Sequence, residues 1–138
     1  MCFFLCLAVP KKAASVLETV FYGFDTRDVT EWSIGKATCG STYRDRSFLI
    51  TSGGCSCFVT GVNHGSGESK LQAFESLMKL LLKQARYVSM LVHDTRGDIA
   101  GATVMCRYKS RVSLHEIISN IERLQTDVRY ILTGRELS

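Results

Sequence analysis

The sequence predicts an α/β fold: a single compact domain, residues 1–138, with a mixed sheet of about five or six strands covered by three helices in two or three layers. Three observations lead there. The run Cys2 to Val9 is apolar throughout, the pattern of a strand buried on both faces. Two stretches, beginning near Ser69 and Ser113, repeat apolar residues at helical spacing behind helix-start signals. Strand-like runs precede and separate the helices, an order that favours helices layered on a sheet over a bundle or a sandwich.

In chain order, Cys2 to Val9 reads as a central strand. Pro10 opens a helix, because its missing N–H is not needed in a first turn, and Ala13, Val16, Leu17, Val20 and Phe21 form its apolar face before Gly23 ends it. From Phe24 to Arg46 the pattern loosens around Trp32 and Ile34, with a short strand expected at Lys36 to Tyr43. Ser47 to Thr51 and Phe58 to Val62 read as strand pieces flanking a Gly-Gly-Cys-Ser-Cys element, and Asn63 to Gly67 as a loop.

The next helix follows Ser69 and Gln72, spaced as a capping box, and buries Leu71, Phe74, Leu77, Met78, Leu81 and Ala85. Tyr87 to His93 and Ala102 to Lys109 read as strands joined through the polar turn Asp94 to Asp98. Ser113 and Glu116 form a second capping box before Leu114, Ile117, Ile118, Ile121 and Leu124, and Val128 to Leu132 is the last strand. The wholly apolar first strand favours helices on both faces of the sheet.

Composition narrows the functional classes. With 46% hydrophobic and 22% charged residues over 138 positions, the chain is an ordinary globular length with enough apolar side chain for one core. Its 17 basic residues are scattered among 13 acidic ones, for a net charge of +4, which argues against nucleic acid as a partner. Six cysteines raise the question of export. The apolar run at 2–9 lacks a preceding basic segment and a small-residue cleavage site, and Lys11 and Lys12 follow it, so it reads as a strand rather than a leader. A span of roughly twenty apolar residues is missing, so no membrane association is expected. The expectation is a soluble, cytoplasmic, thiol-reduced protein.

The chemistry-bearing stretch is Thr51-Ser-Gly-Gly-Cys55-Ser-Cys57. In an extended strand Cys55 and Cys57 share a side, while Gly53 and Gly54 admit positive φ and a bend that exposes amides as an anion nest. A thiol beside such amides is more acidic, and the thiolate is the form that binds metal or attacks a disulfide. Cys39 and His64 complete a candidate zinc or iron set with Cys55 and Cys57, although no C-x-x-C spacing is present. Either Cys55 or Cys57 could act as a nucleophile with His64 or His93 as base. The competing reading is that the pair packs as small hydrophobes, as Cys2, Cys6 and Cys106 are expected to do.

Other motifs carry less. His93-Asp94 fits a strand end with a capping Asp, His115 a solvated first helical turn, and Gly61, Gly65 and Gly67 a glycine-rich loop without a P-loop lysine, at whose helix start a generic anion could bind. Arg107, Lys109 and Arg111 alternate on one side of a strand, the ordinary look of a solvated face, and Arg96-Gly97-Asp98 is a plain turn. Two functional readings result. One is a thiolate-based metal or redox site at Gly53 to Cys57; the alternative is a non-catalytic module that self-associates as a homo-oligomer or binds a ligand.

Overall fold

The computed structural model describes residues 2–18, 23–40, 44–54, 56 and 67–133, with the backbone alone at 2 and 67–69. The elements are strand β1 (Cys2–Pro10), a 3-10 turn (Lys11–Ala13), helix α1 (Ala14–Glu18), β2 (Asp25–Asp28), α2 (Ser33–Cys39), β3 (Asp45–Thr51), α3 (Gly67–Gln84), β4 (Tyr87–Thr95), β5 (Tyr108–Arg111), α4 (Leu114–Ser119) and β6 (Val128–Thr133). The strands form one mixed sheet in the order β2-β3-β1-β4-β6-β5. All neighbours are antiparallel except β5 and β6.

β1 is central because its two faces are both apolar. Leu5, Leu7 and Val9 join Ala14 and Leu17 of α1, Phe74, Leu77, Met78 and Leu81 of α3, and Leu114 and Ile117 of α4 in one core. Phe4 and Cys6 point the other way, onto Ile34 of α2 and onto Ile99 and Val104 of the segment between β4 and β5. The sheet is therefore covered on both faces, as a strand with no polar side demands.

The differences from expectation have local causes. Lys36 to Tyr43 was expected to be extended, yet Ser33–Cys39 is helical. That helix has no side-chain cap, and tertiary ties hold it instead. The Ser33 hydroxyl both accepts from Val104 N–H and donates to Val104 C=O, Ser47 Oγ donates to the Gly35 carbonyl, and Ile34 is fully buried. α2, a helix beyond the three expected, overrides weak propensity through packing. β2 is polar and exposed, so no apolar alternation announces it; Asp28 accepts from Thr30 N–H at 3.0 Å and turns the chain toward α2.

Elsewhere, residues 102–107 are free of ladder pairing and the strand starts only at Tyr108. Helix α3 begins at Gly67, two residues before the expected Ser69 cap. The second capping box forms as read: Ser113 Oγ accepts from Glu116 N–H at 3.0 Å, and Glu116 accepts from Ser113 N–H. The strand piece at Phe58 to Val62 lies outside the described residues.

Candidate functional site

At the glycine-cysteine element, Gly53 and Gly54 have φ of 72° and 95° and are exposed, and among the described residues no atom beyond their chain neighbours lies within 4 Å of where a Cβ would stand. These angles let the chain leave the β3 ladder after Thr51. It returns at Ser56, whose N–H donates to Phe3 C=O at 2.8 Å. The buried Ser56 hydroxyl accepts from Leu5 N–H at 2.8 Å and donates to Ile50 C=O. Leu5 and Ile50 are ladder partners, so a single hydroxyl joins them.

Cys55, Cys57 and His64 lie outside the described residues. Cys39 does not: it closes α2, is buried, and its Sγ lies 2.8 Å from Ser47 Oγ. Ser47 stands four residues, about 13 Å, back along β3 from Thr51, which sets the Cys39 thiol apart from the Gly53–Gly54 turn. Burial raises its pKa, which disfavours the thiolate. Among the described residues, no three His, Cys, Asp or Glu side chains gather to hold a metal. Cys6 is buried as expected, with its thiol pushed up to about 12 by burial. Cys106 is exposed, contrary to expectation, because it sits in the unpaired segment before the edge strand.

His93 is half-buried and pairs through Nδ1 with Asp127 Oδ1 at 2.7 Å rather than capping a turn with Asp94. Asp127, just before β6 and at a φ of 61°, is held beside it by its own N–H, which donates to Val92 C=O at 2.8 Å. His115 is exposed, within 3.5 Å of Ser119 Oγ.

A second site is assembled at the far end of the sheet. β1 runs antiparallel to both neighbours, so its C-terminal end meets the starts of β3 and β4. Pro10, Lys11 and Lys12 thereby come together with Arg44, Asp45, Arg86 and Tyr87 around a cleft of about 660 Å³. Lys11, Lys12, Arg44 and Arg86 are exposed and, among the described residues, make no ion pair.

Asp45, the one carboxylate lining the cleft among the described residues, is already engaged. Both Asp45 oxygens accept from the Tyr87 hydroxyl, at 2.9 and 2.8 Å. Burial raises the Asp45 pKa, against the pull of the Tyr87 hydrogen bond and of Arg129. The Tyr87 phenol is pushed up to about 12, first by burial and then by its bond to Asp45 and that group's charge. Arg129 is buried behind them, its Nε donating to Ser89 Oγ at 3.3 Å. A Cβ at Gly40 would collide with the Arg129 Nη1. Gly40, at a φ of 65°, is the residue that lets α2 end against this guanidinium.

Chemically, the cleft offers four cations without an ion-pair partner among the described residues, an aromatic wall and one carboxylate already hydrogen-bonded to Tyr87. Tyr87 stays protonated and its hydrogen is committed to Asp45, so it is a poor general base. The arrangement suits holding an anion better than transforming one. Sequence reading passed over these cations because positions 11, 12, 44 and 86 are far apart along the chain. The available signal was positional: each basic residue flanks a strand end, and antiparallel pairing brings those ends together. No family model, curated protein or solved structure matches the chain.

Proposed function

We propose that this protein is a non-catalytic ligand-binding module that takes a phosphate-bearing anion in the cleft between the C-terminal end of β1 and the starts of β3 and β4. The observation that carries the reading is the convergence of Lys11, Lys12, Arg44 and Arg86 on one concave site without carboxylate partners among the described residues. Like charges so gathered repel one another, and a bound anion relieves that repulsion. The volume falls in the range of small-ligand pockets, about 300–1,000 Å³. A thiol-reduced, cytoplasmic setting belongs to this reading. Calorimetric titration with pyrophosphate tests it: wild type binds, and R44E/R86E weakens binding at least about tenfold at low salt. Absence of pyrophosphate binding by wild type defeats it.

A second reading is the thiolate metal or redox site at Gly53 to Cys57, favoured by the open, positive-φ turn at Gly53 and Gly54. Elemental analysis of reduced protein tests it. Near-stoichiometric zinc or iron lost on Cys55→Ser supports a metal centre, and two fast native thiols without metal support redox chemistry. Slow thiols without metal remove both.

A further inference from the structure

The cleft does not stand alone on its face. Strand alternation and register place Asp45, Tyr87 and Arg129 on the side of the sheet that α2 covers, since Arg129 bonds Ser89 and lies against Gly40. The parallel β5–β6 pair puts Lys109 beside Arg129 and Arg111 beside Ile131, and paired residues of neighbouring strands point to the same side. Helix α2 packs on β1, β3 and β4, whereas β6 and β5 lie beyond β4 in the strand order. Lys109 and Arg111 are exposed and, among the described residues, have no ion pair. Two inter-strand steps separate β4, at the cleft, from β5, so the exposed strip of Lys109 and Arg111 stands about 10 Å beyond the cleft on the same side of the sheet.

We infer that the anion is a segment of single-stranded nucleic acid, its phosphates tracking the strip over Lys109 and Arg111 and one nucleotide entering the cleft against Tyr87 and Pro10. This deepens, and rests on, the anion-binding reading of the cleft. A lone phosphate compound needs no cations two strands away, whereas a polyanion uses both the pocket and the strip. A pocket large enough for a base, walled by an aromatic ring, fits a strand whose bases are unstacked and available; a duplex hides them. The basic residues that look scattered in sequence are thus gathered by topology, which removes the composition-based objection to nucleic acid.

The test pairs two ligands with two variants. A labelled oligonucleotide of about 12 residues, within the ~4–16 nucleotides that single-strand sites span, is followed by fluorescence anisotropy, and pyrophosphate by calorimetry. Wild type is expected to bind both, with oligonucleotide affinity falling steeply with salt. K109E/R111E is expected to lose at least about tenfold in oligonucleotide affinity while keeping pyrophosphate binding. Its milder counterpart K109A/R111A should lower the slope of log affinity against log salt by about 1.4, from ~0.7 for each single-strand phosphate contact. R44E/R86E should weaken both ligands.

Pyrophosphate binding without oligonucleotide binding overturns this inference and leaves the cleft reading standing. Loss of neither ligand in K109E/R111E also overturns it. So does equal affinity for a duplex or for polyglutamate of matched charge. Failure of wild type to bind either ligand defeats both readings together.

Discussion

Removing the Ser56 hydroxyl with Ser56→Ala is a sharp test of how the chain closes its central ladder. In the native structure that one group satisfies Leu5 N–H and Ile50 C=O, and the residue is fully buried. Alanine fills nearly the same volume, so a cavity contributes little and the loss is one of hydrogen bonding. Each buried backbone group left unmet costs about 1–3 kcal/mol. The two orphans belong to paired residues of adjacent strands, so partial closure of β1 onto β3 recovers some of that. The net expectation is a loss of about 2 kcal/mol, or roughly 8 °C in Tm for a chain of this size. Urea unfolding measures it as a lower midpoint with an unchanged m-value. Ser76→Ala, on the exposed side of α3, serves as the control and should move stability by less than about 0.5 kcal/mol. If Ser56→Ala matches that control, the hydroxyl is not what joins the two strands.

Three further outcomes are expected. Gly40→Ala combines a left-handed backbone with displacement of the buried Arg129 guanidinium and should cost about 2–4 kcal/mol, against ~1–2 kcal/mol for Gly53→Ala, whose surroundings are open; equal losses in chemical denaturation would contradict the Arg129 contact. Tyr87 should ionise at about 12 in a spectrophotometric titration. Because that lies above its ordinary value of 10, its contribution to stability is complete below pH 10 and lost as pH rises toward 12, and Tyr87→Phe should flatten that decline in pH-dependent unfolding. In native protein, Cys106 should react rapidly with a disulfide reagent while Cys6 and Cys39 react only after unfolding, as peptide mass mapping would show; a fast Cys39 would contradict its burial against Ser47.

How far the fold could be read from the chain depended on where each element gets its stability. β1, α3, α4 and β6 bury apolar side chains in a regular pattern, so their periodicity sufficed. α2 and β2 are held by groups remote in sequence, Val104 and Ser47 for α2 and the edge of β3 for β2, and local pattern carries no record of such ties. The candidate sites divide the same way. Gly53 and Gly54 announce their bend because glycine itself permits it, and the backbone takes the left-handed angles there. The cations of the cleft gain meaning only once antiparallel pairing has brought three chain segments together. Cys106 was misread for a related reason: an apolar neighbourhood in sequence, Val104 and Met105, does not reveal that the segment runs along an open edge where Met105 is 76% exposed.

The central position of β1 also governs how the protein must fold. Leu5 pairs with Ile50 on one side and with Val92 on the other, so the most apolar strand finds its partners only after two long stretches of chain have been brought back to it. Closing such loops costs entropy before any contact rewards it, which places this topology among slow folders rather than fast local ones. Until β3 and β4 arrive, β1 is an uncovered, uncharged template for pairing with other chains. During synthesis it emerges long before Val92, and through that interval its edges stay open to pairing with other chains.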